Sequence, residues 1–133
     1  MMLFCYGSLE FAAVMRAVTG RSFAHEPARL DGWARLRFRG RTYPGLRRRS
    51  WTSTPGTLWR GIDDASAARL DRFEGELYER RALPVRAGAG VTVTAQVYVT
   101  SDVLLGELSS EPWEKARFAR ESLAEFVRAI RRR

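Results

Sequence analysis

Leu3-Phe4-Cys5-Tyr6-Gly7-Ser8-Leu9 opens the chain with an unbroken apolar run that stops at a glycine. Leu3 to Tyr6 reads as a short buried strand, ended by Gly7. From about Glu10 to Val18, the residues Phe11, Val14, Met15 and Val18 fall at helical spacing, and Gly20 closes the segment. A turn between strand and helix leaves successive N–H groups without intrachain partners, and glycine lets the backbone approach a ligand closely. Concave sets of such amides hold carboxylate or phosphate, helped by the N-terminus of the following helix. Two readings of Tyr6-Gly7-Ser8-Leu9 stand on the residues alone: an ordinary strand-to-helix turn, or an anion cradle. It is too short for a phosphate loop, lacking the spaced second glycine and the lysine.

Outward from that run the chain alternates strand and helix signals. Leu30-Asp31-Gly32-Trp33 looks like a turn between strands, and Leu36 and Phe38 alternate with Arg35, Arg37 and Arg39. Tyr43-Pro44-Gly45-Leu46 reads as a turn or edge element, because Pro44 cannot serve a central ladder. Thr54-Pro55-Gly56 leads into a strand from Thr57 to Ile62. Asp63 or Asp64 is placed to cap a helix in which Ala67, Leu70 and Phe73 share a face. Gly75 is its natural stop. Leu77 to Val85 and Val91 to Thr100 predict a hairpin joined through Ala87-Gly88-Ala89-Gly90. A last helix is predicted from about Pro112 to Ile130, with Ser110 as its cap. The pattern is α+β: a curled, largely antiparallel sheet with two or three helices packed on it.

At 133 residues, 45% of them hydrophobic, the chain predicts one domain with a core of its own. No run approaches the ~20 apolar residues of a membrane span, so no membrane association is expected. The first residues lack the basic stretch of a secretory leader. The single cysteine, Cys5, excludes an internal disulfide framework, and a cytoplasmic protein is expected. The net charge of +8 is the footprint of a nucleic-acid binder. Yet of the 23 basic residues only Lys115 is lysine, and the arginines are spread along the whole chain. Weak stickiness to polyanions is expected, and no specific nucleic-acid partner.

Phe73-Glu74-Gly75-Glu76-Leu77-Tyr78 is the second decisive stretch. With Gly75 just past the helix, Glu74 lies in the last turn, where the negative end of the macrodipole disfavours an ionised carboxylate. Packing near Leu70, Phe73 and Tyr78 would desolvate it in the same direction and raise its pKa. A carboxylate so tuned accepts protons near neutrality. The alternative is an exposed surface glutamate, the reading that suits Glu76. Cys5 reads as a packed thiol in a buried strand. His25 stands alone, so neither a metal site nor a Ser8–His25 hydrolytic pair is expected.

Six segments in order resemble the gamma-glutamylcyclotransferase-like family, especially its gamma-glutamylamine cyclotransferase branch and the plant avirulence-induced-gene proteins. They are Tyr6-Gly7-Ser8-Leu9, Tyr43-Pro44-Gly45-Leu46, Pro55-Gly56-Thr57-Leu58, Leu70-Asp71-Arg72-Phe73-Glu74-Gly75, Tyr78-Glu79-Arg80 and Ala95-Gln96-Val97-Tyr98-Val99. The resemblance implies one domain over 1–133, a small mixed sheet curled into a compact β-barrel. It also implies an enzyme that converts a small gamma-glutamyl substrate to 5-oxoproline and releases an amine or amino acid, with no metal or cofactor. In this pattern Tyr6, Gly7, Ser8 and Leu9 hold the substrate's alpha-carboxylate and amine end, and Glu74 is the acid/base. Tyr78 would orient Glu74 or line the pocket; a plain core tyrosine is the other reading. From about residue 110 the C-terminal helix matches no segment of the family pattern, and either access to the site or self-association is expected of it.

Overall fold

The computed structural model describes Met1–Arg133. Its strands are β1 (Leu3–Cys5), β2 (Ala24–Phe38), β3 (Pro44–Arg60), β4 (Tyr78–Ala87), β5 (Thr92–Thr100) and β6 (Leu108–Pro112). Its helices are α1 (Ala12–Thr19), α2 (Asp64–Glu74), α3 (Lys115–Glu121) and α4 (Leu123–Arg131). The sheet order β3-β1-β5-β4-β2 closes on itself through a long β2–β3 ladder, giving a barrel, and β6 adds to the outside of β2. Pairing is antiparallel except between β1 and β5, so the sheet is mixed.

The opening apolar run is explained by this position. β1 lies between β3 and β5, with Phe4 directed into the barrel among Leu30, Leu58, Val85 and Val97. Leu3 and Cys5 point the other way, into a second cluster built by Val14 and Met15 of α1 and Leu70 of α2. A strand buried on both faces needs no polar alternation. α2 is capped as its sequence predicts: the Asp63 carboxylate accepts from the Ser66 amide at 3.1 Å. Gly75, at φ +65, stops it.

Three local expectations are corrected. Leu30-Asp31-Gly32-Trp33 is no turn: β2 continues through it, shifting register between Asp31 and Trp33. Pro44–Leu46 and Thr57–Arg60 do not belong to separate elements, because Pro44–Arg60 is one strand containing Pro55. Pro44 enters as its first residue, a place proline tolerates. A ladder against β2 from Ala24 to Arg37 outweighs the remaining turn signals. Ser110 caps nothing; it lies in β6, and the C-terminal helical region starts at Lys115 and breaks at Ser122 into α3 and α4. No helix is long and apolar enough to cross a membrane.

Candidate functional site

Tyr6 and Gly7 leave β1, and Ser8–Glu10 form one 3-10 turn before α1. The Glu10 amide donates to the Gly7 carbonyl at 3.0 Å and the Phe11 amide to the Ser8 carbonyl at 3.2 Å. The N–H groups of Gly7, Ser8 and Leu9 precede these bonds, as the first donors of a helical turn do. Gly7 is ordinary in handedness, with φ −127. What it lacks is room: a Cβ there would stand 2.9 Å from Cγ and Cδ of Pro44. The glycine is required by the close approach of its backbone to the Pro44 ring.

A cavity of about 140 Å³ opens beside this loop. It is lined by every residue to which the family resemblance gives a role, Tyr6, Gly7, Ser8, Leu9, Glu74 and Tyr78, and by Cys5. Sequence reasoning missed Tyr43, Pro44, Phe73, Leu77, Tyr98 and Phe126, which complete an aromatic and apolar wall, and Arg133, which also lines the cavity. Tyr43, Pro44, Phe73 and Tyr98 lie inside the quoted segments, so the signal was present without a role attached. Phe126 carried no signal beyond helical spacing. It reaches the cavity edge-on to Phe73, with ring centroids 6.0 Å apart, so α4 forms part of the enclosure.

The tyrosine hydroxyls and Asp71 are pinned, and Glu74 is not. The Tyr6 hydroxyl donates to the Tyr98 carbonyl. The Tyr78 hydroxyl donates to the Pro44 carbonyl at 2.5 Å. The Tyr98 hydroxyl donates to Asp71 at 2.7 Å, and Arg80 donates to both Asp71 oxygens at 2.9 and 3.2 Å. Asp71 sits one helical turn before Glu74 on α2, so this clamp fixes the end of the helix that presents Glu74. Burial acts to raise the Asp71 pKa, but the bonds from Tyr98 and Arg80 outweigh it and hold it below the usual value. Glu74 has no such partners. Half-buried against the apolar wall, with no hydrogen bond or cation to offset its desolvation, it is pushed up to about 8. Burial is the cause, where the sequence pointed first to the helix dipole. Glu76, two residues on, is exposed.

The remaining candidates behave differently. Burial, then the charges of Glu74 and Glu10, pushes the Cys5 thiol well up, which keeps it unreactive. His25 packs against Trp59, ring centroids 4.6 Å apart. Burial raises both Tyr6 and Tyr78 well above the usual phenol value, so both stay protonated donors. The site therefore offers amides and hydroxyls at one end, a single unpaired carboxylate, and an apolar wall. That set suits proton transfer on a small substrate with an anionic end.

The sequence matches, over residues 3–115, the family described as gamma-glutamyl cyclotransferase, AIG2-like. AIG2-like protein C of Arabidopsis thaliana is 31% identical over 118 residues, which are 85% of this chain and 69% of that protein. A solution structure of an Arabidopsis thaliana protein aligns with 98% of this chain and 79% of its own, at 26% identity and a TM-score of 0.75. The fold is also that of a gamma-glutamyl cyclotransferase structure at 17% identity, with a TM-score of 0.68 over 97% of this chain and 85% of that one.

Proposed function

The chain belongs to the gamma-glutamyl cyclotransferase, AIG2-like family, and on that footing we propose that it is a gamma-glutamyl(amine) cyclotransferase with Glu74 as its acid/base. One observation carries the reading: the unpaired Glu74 carboxylate, raised to about 8, lines the same cavity as the Tyr6–Leu9 turn. The turn's amides take the substrate's alpha-carboxylate, with the Tyr6 and Tyr78 rings beside it. The gamma-glutamyl chain folds back so that its alpha-nitrogen meets its own gamma-carbonyl carbon, a proximity effect that needs no protein nucleophile.

The protons balance through one group. Ionised Glu74 takes a proton from the alpha-ammonium, and the freed amine attacks the gamma-carbonyl, forming the ring C–N bond. Glu74 then protonates the leaving nitrogen and accepts the second proton of the ring nitrogen. The carbonyl re-forms, the old C–N bond breaks, and 5-oxoproline parts from an amine that takes up the remaining proton. A carboxylate near neutral pKa can accept and deliver in turn, which an ordinary surface glutamate does poorly.

The test is a panel of gamma-glutamyl-amines, gamma-glutamyl-dipeptides and glutathione, with release of 5-oxoproline as the readout. Release from at least one member, dependent on Glu74, is the expected result. No release from any member, with 5-oxoproline failing to bind, sinks the proposal.

A further inference from the structure

The three peptides that present the loop's N–H groups are not held in the same way. In a planar trans peptide the carbonyl and the N–H point in opposite directions, and the chain has no cis bond. Fixing a carbonyl therefore aims the amide behind it. The Gly7 carbonyl is taken by the Glu10 amide and the Ser8 carbonyl by the Phe11 amide, so the turn itself orients the Ser8 and Leu9 N–H groups. The Tyr6 carbonyl receives no turn bond. Its donor is Arg35, from the middle of β2, whose Nη1 lies 3.0 Å away.

We infer that Arg35 is a positioning residue: by holding the Tyr6 carbonyl it turns the Gly7 N–H toward the cavity. The inference rests on the reading of the loop as the substrate's carboxylate cradle. Arg35 is built for a fixed task. Its side chain is 15% exposed, and the same nitrogen reaches the Glu10 carboxylate and the Pro55 carbonyl, each at 3.4 Å. Its guanidinium stacks over Trp113, 5.1 Å from the ring centroid. Glu10, 5% exposed, is held in turn by Thr57 at 3.2 Å and Lys115 at 3.5 Å. A planar, permanently charged guanidinium lies flat on an aromatic ring while its edge donates, a geometry that an ammonium lacks. None of these groups lines the cavity; they act on it through one peptide plane.

The experiment follows the backbone amides by two-dimensional ¹⁵N–¹H NMR while 5-oxoproline is titrated into wild type, Arg35→Lys and Arg35→Met. In wild type the Gly7, Ser8 and Leu9 amides should shift on binding. In Arg35→Met, with its barrel amides unchanged, the Gly7 shift should be lost and affinity should fall about tenfold to a hundredfold, as for loss of a charged donor's bond. The Ser8 and Leu9 shifts should persist, and millimolar guanidinium should partly restore that of Gly7. Arg35→Lys keeps a cation beside Glu10, so it reads the same quantity if the Met variant does not fold; its Gly7 shift should be reduced, with KM raised more than kcat is lowered. A wild type whose loop amides ignore 5-oxoproline would overturn the cradle, and this inference with it. A wild type that responds, beside variants that bind equally and move Gly7 equally, would overturn the role of Arg35 alone.

Discussion

Glu10 and Glu74 are two acids withdrawn from solvent at the same end of the molecule, and the protein treats them in opposite ways. Burial raises the Glu10 pKa, but Lys115, Arg35 and the Thr57 hydroxyl all oppose that rise. For Glu74 nothing opposes it. The first carboxylate is a fastener: it joins β2, β3 and the C-terminal segment to the turn after β1. The second is left free to change its charge. A buried acid with both oxygens engaged is costly to remove and idle in chemistry. One with none engaged weakens the fold when ionised and gains a pKa suited to proton transfer.

The largest effect that would test this contrast is on turnover. Glu74→Gln should lower kcat by ~10²–10⁴ with KM little changed, measured on whichever substrate the panel reveals, while Glu76→Gln stays near wild type. The rate in wild type should rise with pH through a limb near about 8 as Glu74 ionises, and that limb should be missing from the variant's residual rate. Near-normal turnover in Glu74→Gln would erase the difference between the two acids.

Stability should respond the other way round. Glu10→Gln leaves Arg35 buried without its counter-charge and should cost about 3–5 kcal/mol in denaturant unfolding, without moving the pH limb of any remaining activity. An unchanged midpoint would show that the fastener is not needed.

A smaller effect comes from pH and stability together. The folded Glu74 carboxyl, at about 8, lies above its ordinary value of 4.5, so between those pH values the folded protein keeps a proton that the unfolded chain has lost. Stability from this group is therefore full below about 4.5 and falls as pH rises toward about 8. Glu74→Gln carries no such charge. Its Tm should match wild type near pH 4.5 and exceed it increasingly up to pH 8; a constant difference across that range would count against the raised pKa. The smallest effect is expected from Phe126→Ala, which opens the apolar wall where α4 meets Phe73. It should raise KM severalfold and, by letting water nearer Glu74, move the pH limb toward lower pH; an unaltered KM for every substrate would mean that α4 takes no part in binding.

What could be read in advance follows the range of the interactions. The ends of α2 were legible because their signals are local: Asp63 bonds a residue three positions on, and Gly75 needs only its own φ. The two ends of the cavity were legible because each is a short continuous segment. Arg35 was not, because nothing in the order of residues separates one buried arginine from the exposed ones around it; its role depends on Tyr6, Glu10 and Trp113 meeting in space. Phe126 failed for the same reason, a helical apolar position being core or cavity wall according to what it packs against. Gly32 and Pro55 misled because a long ladder absorbed local turn signals.

β1 finds no neighbour nearby in the chain. Leu3 pairs with Trp59 on one side and with Gln96 on the other, and the turn it carries is braced by Lys115. During synthesis, then, β1 emerges before either of its partners and is among the last strands to be fixed. Tyr6 and Gly7 must wait, unpaired, until β5 and Lys115 are made, and long-range closures of this kind slow folding. β1 and its turn are thus exposed in the nascent chain to chaperones and to wrong partners, and the assembly of the cavity is a late event by construction.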